Sequence, residues 1–375
     1  MKFSTALFLL LLLSGLGLAQ PSVQIHGYLT QGYARATDYP IFGIPVSGTA
    51  DYRNLALQFR ATMNPNTALV VQLSHKRLGR SPVMSLEESV ELDWGFFEYR
   101  FAGNFVLKGG LIQLPFGIFN EIRDVGVLLP FYQVPYMPYG ESNYTSETVS
   151  GASIGYAGEL GDSWGISLDL YAGEWTWTEW FIIRTPLNPS EPTVIVEEPH
   201  IRKAFGTQLW LETPVSGLRF GAGGYGGEIS GGLSFGVLGK SDIYVGNVSV
   251  DGDFERFFAR SEYSYYYIEP AAIRAKALYF QGGYRFLDRF TLVGQAGRYN
   301  INSIPLAGIS LGSSELDFFK EVALGFNLAL RHNLVLKLEN HWTRGFITET
   351  ASETPGVYLE SRKTNYAIIS VSTSF

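Results

Sequence analysis

Cysteine is absent from the 375 residues. Disulfide staples, cysteine-ligated metal centres and lipid attachment at a leader cysteine all need a thiol, so all three are excluded. Charge is scarce as well. Asp, Glu, Lys and Arg make up 17% of the chain, against about 25% in an ordinary soluble domain. Basic residues are the scarcer sign, with 28 Lys and Arg against 35 Asp and Glu and a net charge of −7. That balance argues against a nucleic-acid partner. Long apolar runs are missing too: past the first twenty positions, no stretch approaches the ~18 apolar residues of a membrane helix.

What remains is rich in aromatics, at 15%, and in glycine, with 42. The one apolar segment opens the chain, "MKFSTALFLLLLLSGLGLAQ". Lys2 supplies a positive start and Ala6 to Leu13 an apolar run. Gly17 and Ala19 are the small residues a signal peptidase requires at −3 and −1. Residues 1–19 are therefore expected to be a signal peptide and 20–375 a single exported domain. An exported, charge-poor chain without membrane helices is either a large soluble β-protein or a membrane β-barrel.

The hydrophobic period is two. In "NLALQFRATM", Leu55, Leu57, Phe59, Ala61 and Met63 share one face and Asn54, Gln58, Arg60 and Thr62 the other. Leu69, Val71 and Leu73, then Ile166, Leu168 and Leu170, then Leu334, Leu336 and Leu338 repeat the pattern. Such alternation marks strands with one apolar and one polar face. Short turns such as "NPNT" (64–67), "AGN" (102–104), "PVSG" (214–217) and "RHN" (331–333) alternate with long connections, the exception being a short one near 270. Sixteen strands fit between them: 22–34, 51–63, 67–77, 88–101, 104–113, 148–158, 165–173, 204–212, 217–226, 241–250, 254–268, 274–286, 289–300, 317–330, 333–345 and 366–375. An even number of antiparallel strands, short turns on one rim and long loops on the other, is the layout of a transmembrane antiparallel β-barrel. Hydrocarbon offers no partner to a backbone amide, so a sheet there must close on itself. The expected location is an outer membrane, with lipid against the outer face.

The final strand, "YAIISVSTSF", closes the cylinder in this reading and sets Phe375 on the lipid face of the short-turn rim. It resembles the carboxyl-terminal signature by which barrel-insertion machinery recognises its clients, although Thr373 stands where another aromatic is often found.

The third long connection, "LPFGIFNEIRDVGVLLPFYQVPYMPYGESNYTSET" (114–148), carries Pro115, Pro130, Pro135 and Pro138, which block ladder pairing. It also carries Leu128, Leu129, Phe131 and Tyr132, which need burial. Folding inward against the barrel wall meets both demands. Glu121, Arg123 and Asp124 are then candidates for a constriction, or for a salt-bridged knot that holds the loop's shape. "LPFGIFNEIRDVG", after a strand ending in glycines, resembles the family of phosphate-selective porins O and P and the DcaP-like porins. The resemblance implies sixteen strands, a homotrimer and diffusion of small, often anionic, solutes. Two departures stand out. Phosphate-selective members crowd lysine and arginine at the constriction, whereas this loop offers Arg123. DcaP-like members often carry an amino-terminal helical segment, whereas here a strand begins almost at once.

The polar face of the alternation supplies the candidate lumen. Arg60, Lys108, Arg219, Arg256, Arg260, Arg285 and Lys337 oppose Glu91, Asp93, Asp169, Glu262, Glu321 and Glu339, a nearly neutral set. Rings of such charges set ion selectivity, unless the wall charges merely pair with one another. Arg256, Arg260 and Glu262 are expected on one face of one strand, and Arg123 and Arg260 to favour anions. "WTWTEWF" (175–181) and "SEYSYYYI" (261–268) read best as interfacial aromatic girdles. His26, His75, His200, His332 and His341 are scattered, with no serine nucleophile in pattern and no third ligand at metal spacing, so no catalytic residue, metal or cofactor is expected. "GAGGYGGEISGG" (221–232) has no helix pattern after it and is not a phosphate-cradling loop. The expected function is passive diffusion of small hydrophilic solutes past the constricting segment 114–147. The alternative is a non-conducting barrel that serves as a surface binding or structural protein. An outer-membrane hydrolase is a third, disfavoured reading.

Overall fold

Alternation of apolar and polar side chains produces a closed sheet. The computed structural model describes residues 22–81, 90–140, 144–161, 163–185, 188–231, 239–304, 309–310, 314–352 and 360–375. The expected leader lies outside the described residues. The barrel strands are β1 (Ser22–Ala36), β2 (Thr49–Asn64), β3 (Thr67–Leu78), β4 (Glu91–Phe101), β5 (Phe105–Gln113), β6 (Thr148–Leu160), β7 (Trp164–Thr176), β8 (His200–Glu212), β9 (Leu218–Ser230), β10 (Ser241–Asp253), β11 (Phe257–Glu269), β12 (Ile273–Phe286), β13 (Phe290–Ile301), β14 (Leu316–Arg331), β15 (Leu334–Gly345) and β16 (Arg362–Ser374). Each pairs antiparallel with its neighbours in sequence. The ring closes between β1 and β16, from Tyr28↔Ser374 to Ala36↔Tyr366. No edge is left with unpaired amides.

Orientation follows from exposure. Leu57, Leu73, Phe205, Val248 and Leu338 are 42%, 38%, 62%, 55% and 45% exposed and point outward. Their polar or aromatic neighbours on the other face, such as Gln72, Gln208 and Tyr266, are buried inside. An apolar outer wall with no edge is stable in hydrocarbon and costly in water, so the barrel is built to span a bilayer. Phe375 is 69% exposed on that wall. Its backbone N–H donates to Gly27 O at 3.0 Å and its carbonyl accepts from Gly27 N at 3.1 Å, which ties the terminus to β1.

All sixteen expected strands are present, with displaced ends. β9 continues through the glycine run to Ser230, because a residue without a side chain gives no alternation to read yet pairs normally. β16 begins at Arg362. β11 begins at Phe257, which leaves Arg256 exposed in the preceding turn and off the ladder of Arg260 and Glu262. The connection 174–203, expected to be irregular, carries a hairpin of Glu179–Thr185 with Asn188–Glu197.

The aromatic patch at 175–181 is not a lipid girdle. Trp175 and Trp177 are buried in the interior. Trp175 Nε1 donates to Tyr144 O at 3.1 Å, and its ring centroid lies 5.0 Å from that of Tyr225. In "SEYSYYYI", Tyr263 is exposed on the outer wall while Tyr266 is buried inward.

Candidate pore and its inward loop

β5 ends early, at Gln113, and pairs with β4 only from Gly95 to Phe101. The chain then turns into the barrel instead of passing out over the rim. Phe116, Phe119, Phe131 and Tyr139 are fully buried there, against inward-facing rings of the wall. Each such side chain contributes about 1.5–3 kcal/mol by leaving water. Phe119 lies against Tyr279 with centroids 6.2 Å apart, and Phe131 against His341 at 5.3 Å. Leu128, expected to need burial, is exposed.

The loop backbone, which has no ladder of its own, is held by polar side chains of the wall. Lys337 Nζ donates to the carbonyls of Gly126, Leu129 and Phe131 at 2.6, 2.7 and 2.9 Å. Glu339 accepts from Tyr132 N at 2.8 Å. Glu262 accepts from Ile118 N at 3.0 Å and from Tyr139 OH at 2.7 Å. Gln208 accepts from Gly117 N at 2.9 Å, and Asn327 donates to Pro130 O at 2.8 Å. Two glycines make this approach possible. Gly117 sits at φ +60, and a Cβ on Gly126 would come within 2.1 Å of Thr30 Oγ1. Lys337, Glu262 and Glu339, expected among the lumen charges, thus lie beneath the loop as its fasteners and are buried. His341, also buried, is held between Glu321 at 2.9 Å and Glu339 at 3.3 Å and stacks on Tyr366.

Beside the loop, towards the long-loop rim, lies a cavity of about 320 Å³ lined by Asn54, Lys76, Asp93, Arg123, Asp124 and Glu147, among others, including Glu91. Arg123 Nε meets Glu147 Oε1 at 2.8 Å. Lys76 Nζ lies 3.6 Å from Asp124 and 3.8 Å from Glu147. Asn54 donates to Asp124 at 2.6 Å and Gln72 to Asp93 at 2.8 Å. Three close carboxyls facing two cations favour retention of one proton. Burial, followed by the nearby Asp124 charge against the pull of Arg123, pushes the Glu147 carboxyl up to about 8. Burial acts the same way on Asp124, but Lys76 and Arg123, with hydrogen bonds from Glu147 and Asn54, outweigh it and hold that carboxyl below its ordinary value. Sequence reasoning identified Arg123, Asp124 and Asp93 but missed Lys76 and Glu147. Lys76 stands on the polar face of β3, which was the available signal.

On the short-turn side of the loop the wall cations Arg60 and Arg219 stay partly exposed, while their partners Glu98 and Asp251 are buried. Arg60 pairs with Glu98 at 2.6 Å. Arg219 and Arg260 both reach Asp251, at 2.8 and 2.7 Å. Arg285 and Arg260 share Asp253, at 2.7 and 3.3 Å. Lys108 lies over the Phe96 ring, 5.5 Å from its centroid. Glu121, on the loop, is exposed. Enclosure by the barrel raises its carboxyl above the ordinary value; Lys108 opposes the rise, Asp169 adds to it and Arg219 opposes it. Lys108, Asp169 and Arg219 are thus the charges that act on Glu121.

No protein-family model matches the chain, and no curated protein does. Solved structures do. The outer membrane channel DcaP of Acinetobacter baumannii is similar over 95% of this chain and 97% of its own, with TM-score 0.60 and 12% identity. The chain has the porin fold. OmpT of Vibrio cholerae, an outer membrane protein solved in a trimer form, matches with TM-score 0.60 and 13% identity over 95% of this chain and 100% of its own. An anion-selective porin from Comamonas acidovorans matches with TM-score 0.59 and 9% identity, over 95% and 100%. Identities this low carry the porin fold and nothing finer.

Proposed function

We propose that the protein is an outer-membrane diffusion channel for small hydrophilic solutes, related to the phosphate-selective and DcaP-like porins. The observation that carries this reading is a loop fastened inside a closed barrel whose inner wall carries charges of both signs below it. Segment 114–147 is the constriction in this reading. Arg123 and Arg260 are each ion-paired, so the selectivity we propose is weak, set by Lys108, Glu121 and Asp169 and by the rim cluster. The trimer form of a similar barrel supports a homotrimer. The apolar terminal strand with its exposed Phe375 supports recognition by barrel-insertion machinery. A channel is favoured over an enzyme because the buried histidine, His341, is held on both ring nitrogens by carboxylates.

A second reading is a non-conducting barrel with the loop as plug, which would leave surface binding to the external loops. The many fasteners of the loop and the aromatic packing around it favour this alternative. Planar-bilayer recording separates the two. Stepwise conductance with a small reversal potential under a KCl gradient is expected; silent insertion of folded protein refutes the channel. Arg123→Ala with Arg260→Ala leaves Glu147, Asp251 and Asp253 with less counter-charge, so a modest move toward cations is expected; unchanged selectivity would mean that neither pair lies on the conduction path.

A further inference from the structure

We propose that the outward face of β13–β16, at the long-loop rim, is a docking surface for the phosphate groups of anionic lipids in the surrounding leaflet. The inference rests on the membrane-barrel reading above. Its basis is the register. Arg298 pairs directly with Lys320, Lys320 with Arg344, and Arg344 with Lys363. Four cations therefore stand side by side on four consecutive strands, all exposed and all on the lipid-facing side of the alternation.

Like charges directly opposite one another destabilise a sheet. Neighbouring strands are only ~4.8 Å apart, so the row is crowded. Asp317 relieves one end: it binds Arg298, and Lys320 at 2.6 Å. Arg344 and Lys363 have no ion pair among the described residues. A row held at this electrostatic cost favours binding of a counter-charge from the surroundings.

Position identifies the class of counter-charge. The next outward row inward from the rim, Ala296, Val322, Trp342 and Asn365, is apolar on three of its four strands, with Val322 and Trp342 52% and 43% exposed. The apolar face then continues along β14 through Leu324 to Leu330, eight residues beyond Val322. At ~3.4 Å per residue and a tilt of about 40°, that is roughly 20 Å of height, close to the ~25 Å apolar band of such barrels. The cations therefore sit at the edge of the hydrocarbon, beside a tryptophan at interface depth. Lipid phosphates occupy that level. A phosphate offers several acceptor oxygens, which lets it bridge adjacent cations, and arginine binds it in bidentate fashion. A soluble anion would not require the row to face the acyl chains.

The test uses the full mature chain in neutral detergent micelles, titrated with dioleoyl phosphatidic acid or dioleoyl phosphatidylcholine. Lipid retained through gel filtration is measured together with the melting temperature from heat-modifiable gel mobility. The wild type is expected to retain phosphatidic acid and melt higher with it. Arg344→Gln with Lys363→Gln is expected to bind at least about tenfold more weakly, at roughly 1 kcal/mol per cation near an anionic surface. Without lipid the same variant is expected to melt no lower than the wild type, since repulsion is relieved; a folding defect would have the opposite sign. The swap Arg344→Lys with Lys363→Arg is expected to retain lipid, and bilayer conductance is expected to be unaltered, because the row lies outside the lumen. Equal retention of phosphatidic acid by wild type and glutamine variant, or equal uptake of both lipids, would overturn the proposal. Full stabilisation by inorganic phosphate alone would overturn it in favour of free anion. Loss of oligomer without loss of lipid would overturn it in favour of a second copy of the chain. A chain that stays dissolved without detergent and takes up neither lipid would instead defeat the membrane reading itself.

Discussion

Replacing Lys337 with methionine probes the fastening of the loop. The side chain is buried, and its ammonium satisfies three loop carbonyls at 2.6–2.9 Å. Methionine fills much of the same volume but donates nothing. Hydrogen bonds from a charged donor contribute about 1.5–3 kcal/mol each. Against this, removing a buried charge recovers part of its desolvation cost. Breaking buried charged arrangements typically costs about 3–5 kcal/mol in total, and that is the expected destabilisation of the segment Gly126–Phe131. The barrel ladder does not pass through Lys337's ammonium, so the sixteen-stranded wall is expected to persist. Two measurements check this. Limited proteolysis of refolded protein is expected to cut within 114–147 in the variant and not in the wild type, with heat-modifiable mobility unchanged. Single-channel recording is expected to show larger and noisier steps. Protection from protease together with unaltered conductance would refute the argument that these three bonds hold the loop in the lumen.

The remaining expectations concern charge and the wall. Because the folded-state value of Glu147 is raised to about 8, its contribution favours the folded arrangement at low pH and is lost as pH rises from its ordinary value through about 8; an extra negative charge then appears beside Asp124, Asp93, Lys76 and Arg123. Reversal potentials are expected to move toward cations between pH 7 and 9, and Glu147→Gln is expected to abolish the movement. Asp251→Asn releases Arg219 and leaves Arg260 only its contact with Asp253, so the reversal potential in a KCl gradient is expected to move toward anions; no movement would mean that these arginines lie off the conduction path. Leu57→Arg places a charge on the lipid face and is expected to cost about 2–4 kcal/mol in vesicle unfolding, whereas Gln58→Arg, one position on and facing the lumen, is expected to be nearly neutral.

Much of the fold was legible in the chain because a barrel wall is written locally. Each strand of β2, β7 or β15 shows its apolar face within ten residues, and each short turn shows its glycine, asparagine or aspartate. Closure follows, since lipid tolerates no open edge. The inward course of 114–147 was also legible, from prolines that forbid a ladder and aromatics that forbid open water. Local signal failed at the glycine run of β9, where there is no alternation to see, and at Trp175, whose residue type suits an interface as well as a core.

The fate of individual charges was decided by tertiary structure alone. Lys337 and Arg60 look alike in sequence, each a cation on the polar face of a strand, yet one is buried under loop carbonyls more than two hundred residues away and the other stays partly exposed in a pair with Glu98 near the short-turn rim. The row Arg298, Lys320, Arg344 and Lys363 exists only through strand register, and the cluster of Lys76, Arg123, Asp124 and Glu147 only because the loop returns to the wall. Alternation reveals which way a side chain points, because two residues suffice to define a face. What it meets there depends on segments that arrive from elsewhere in the chain, and their positions are set by closure of the ring.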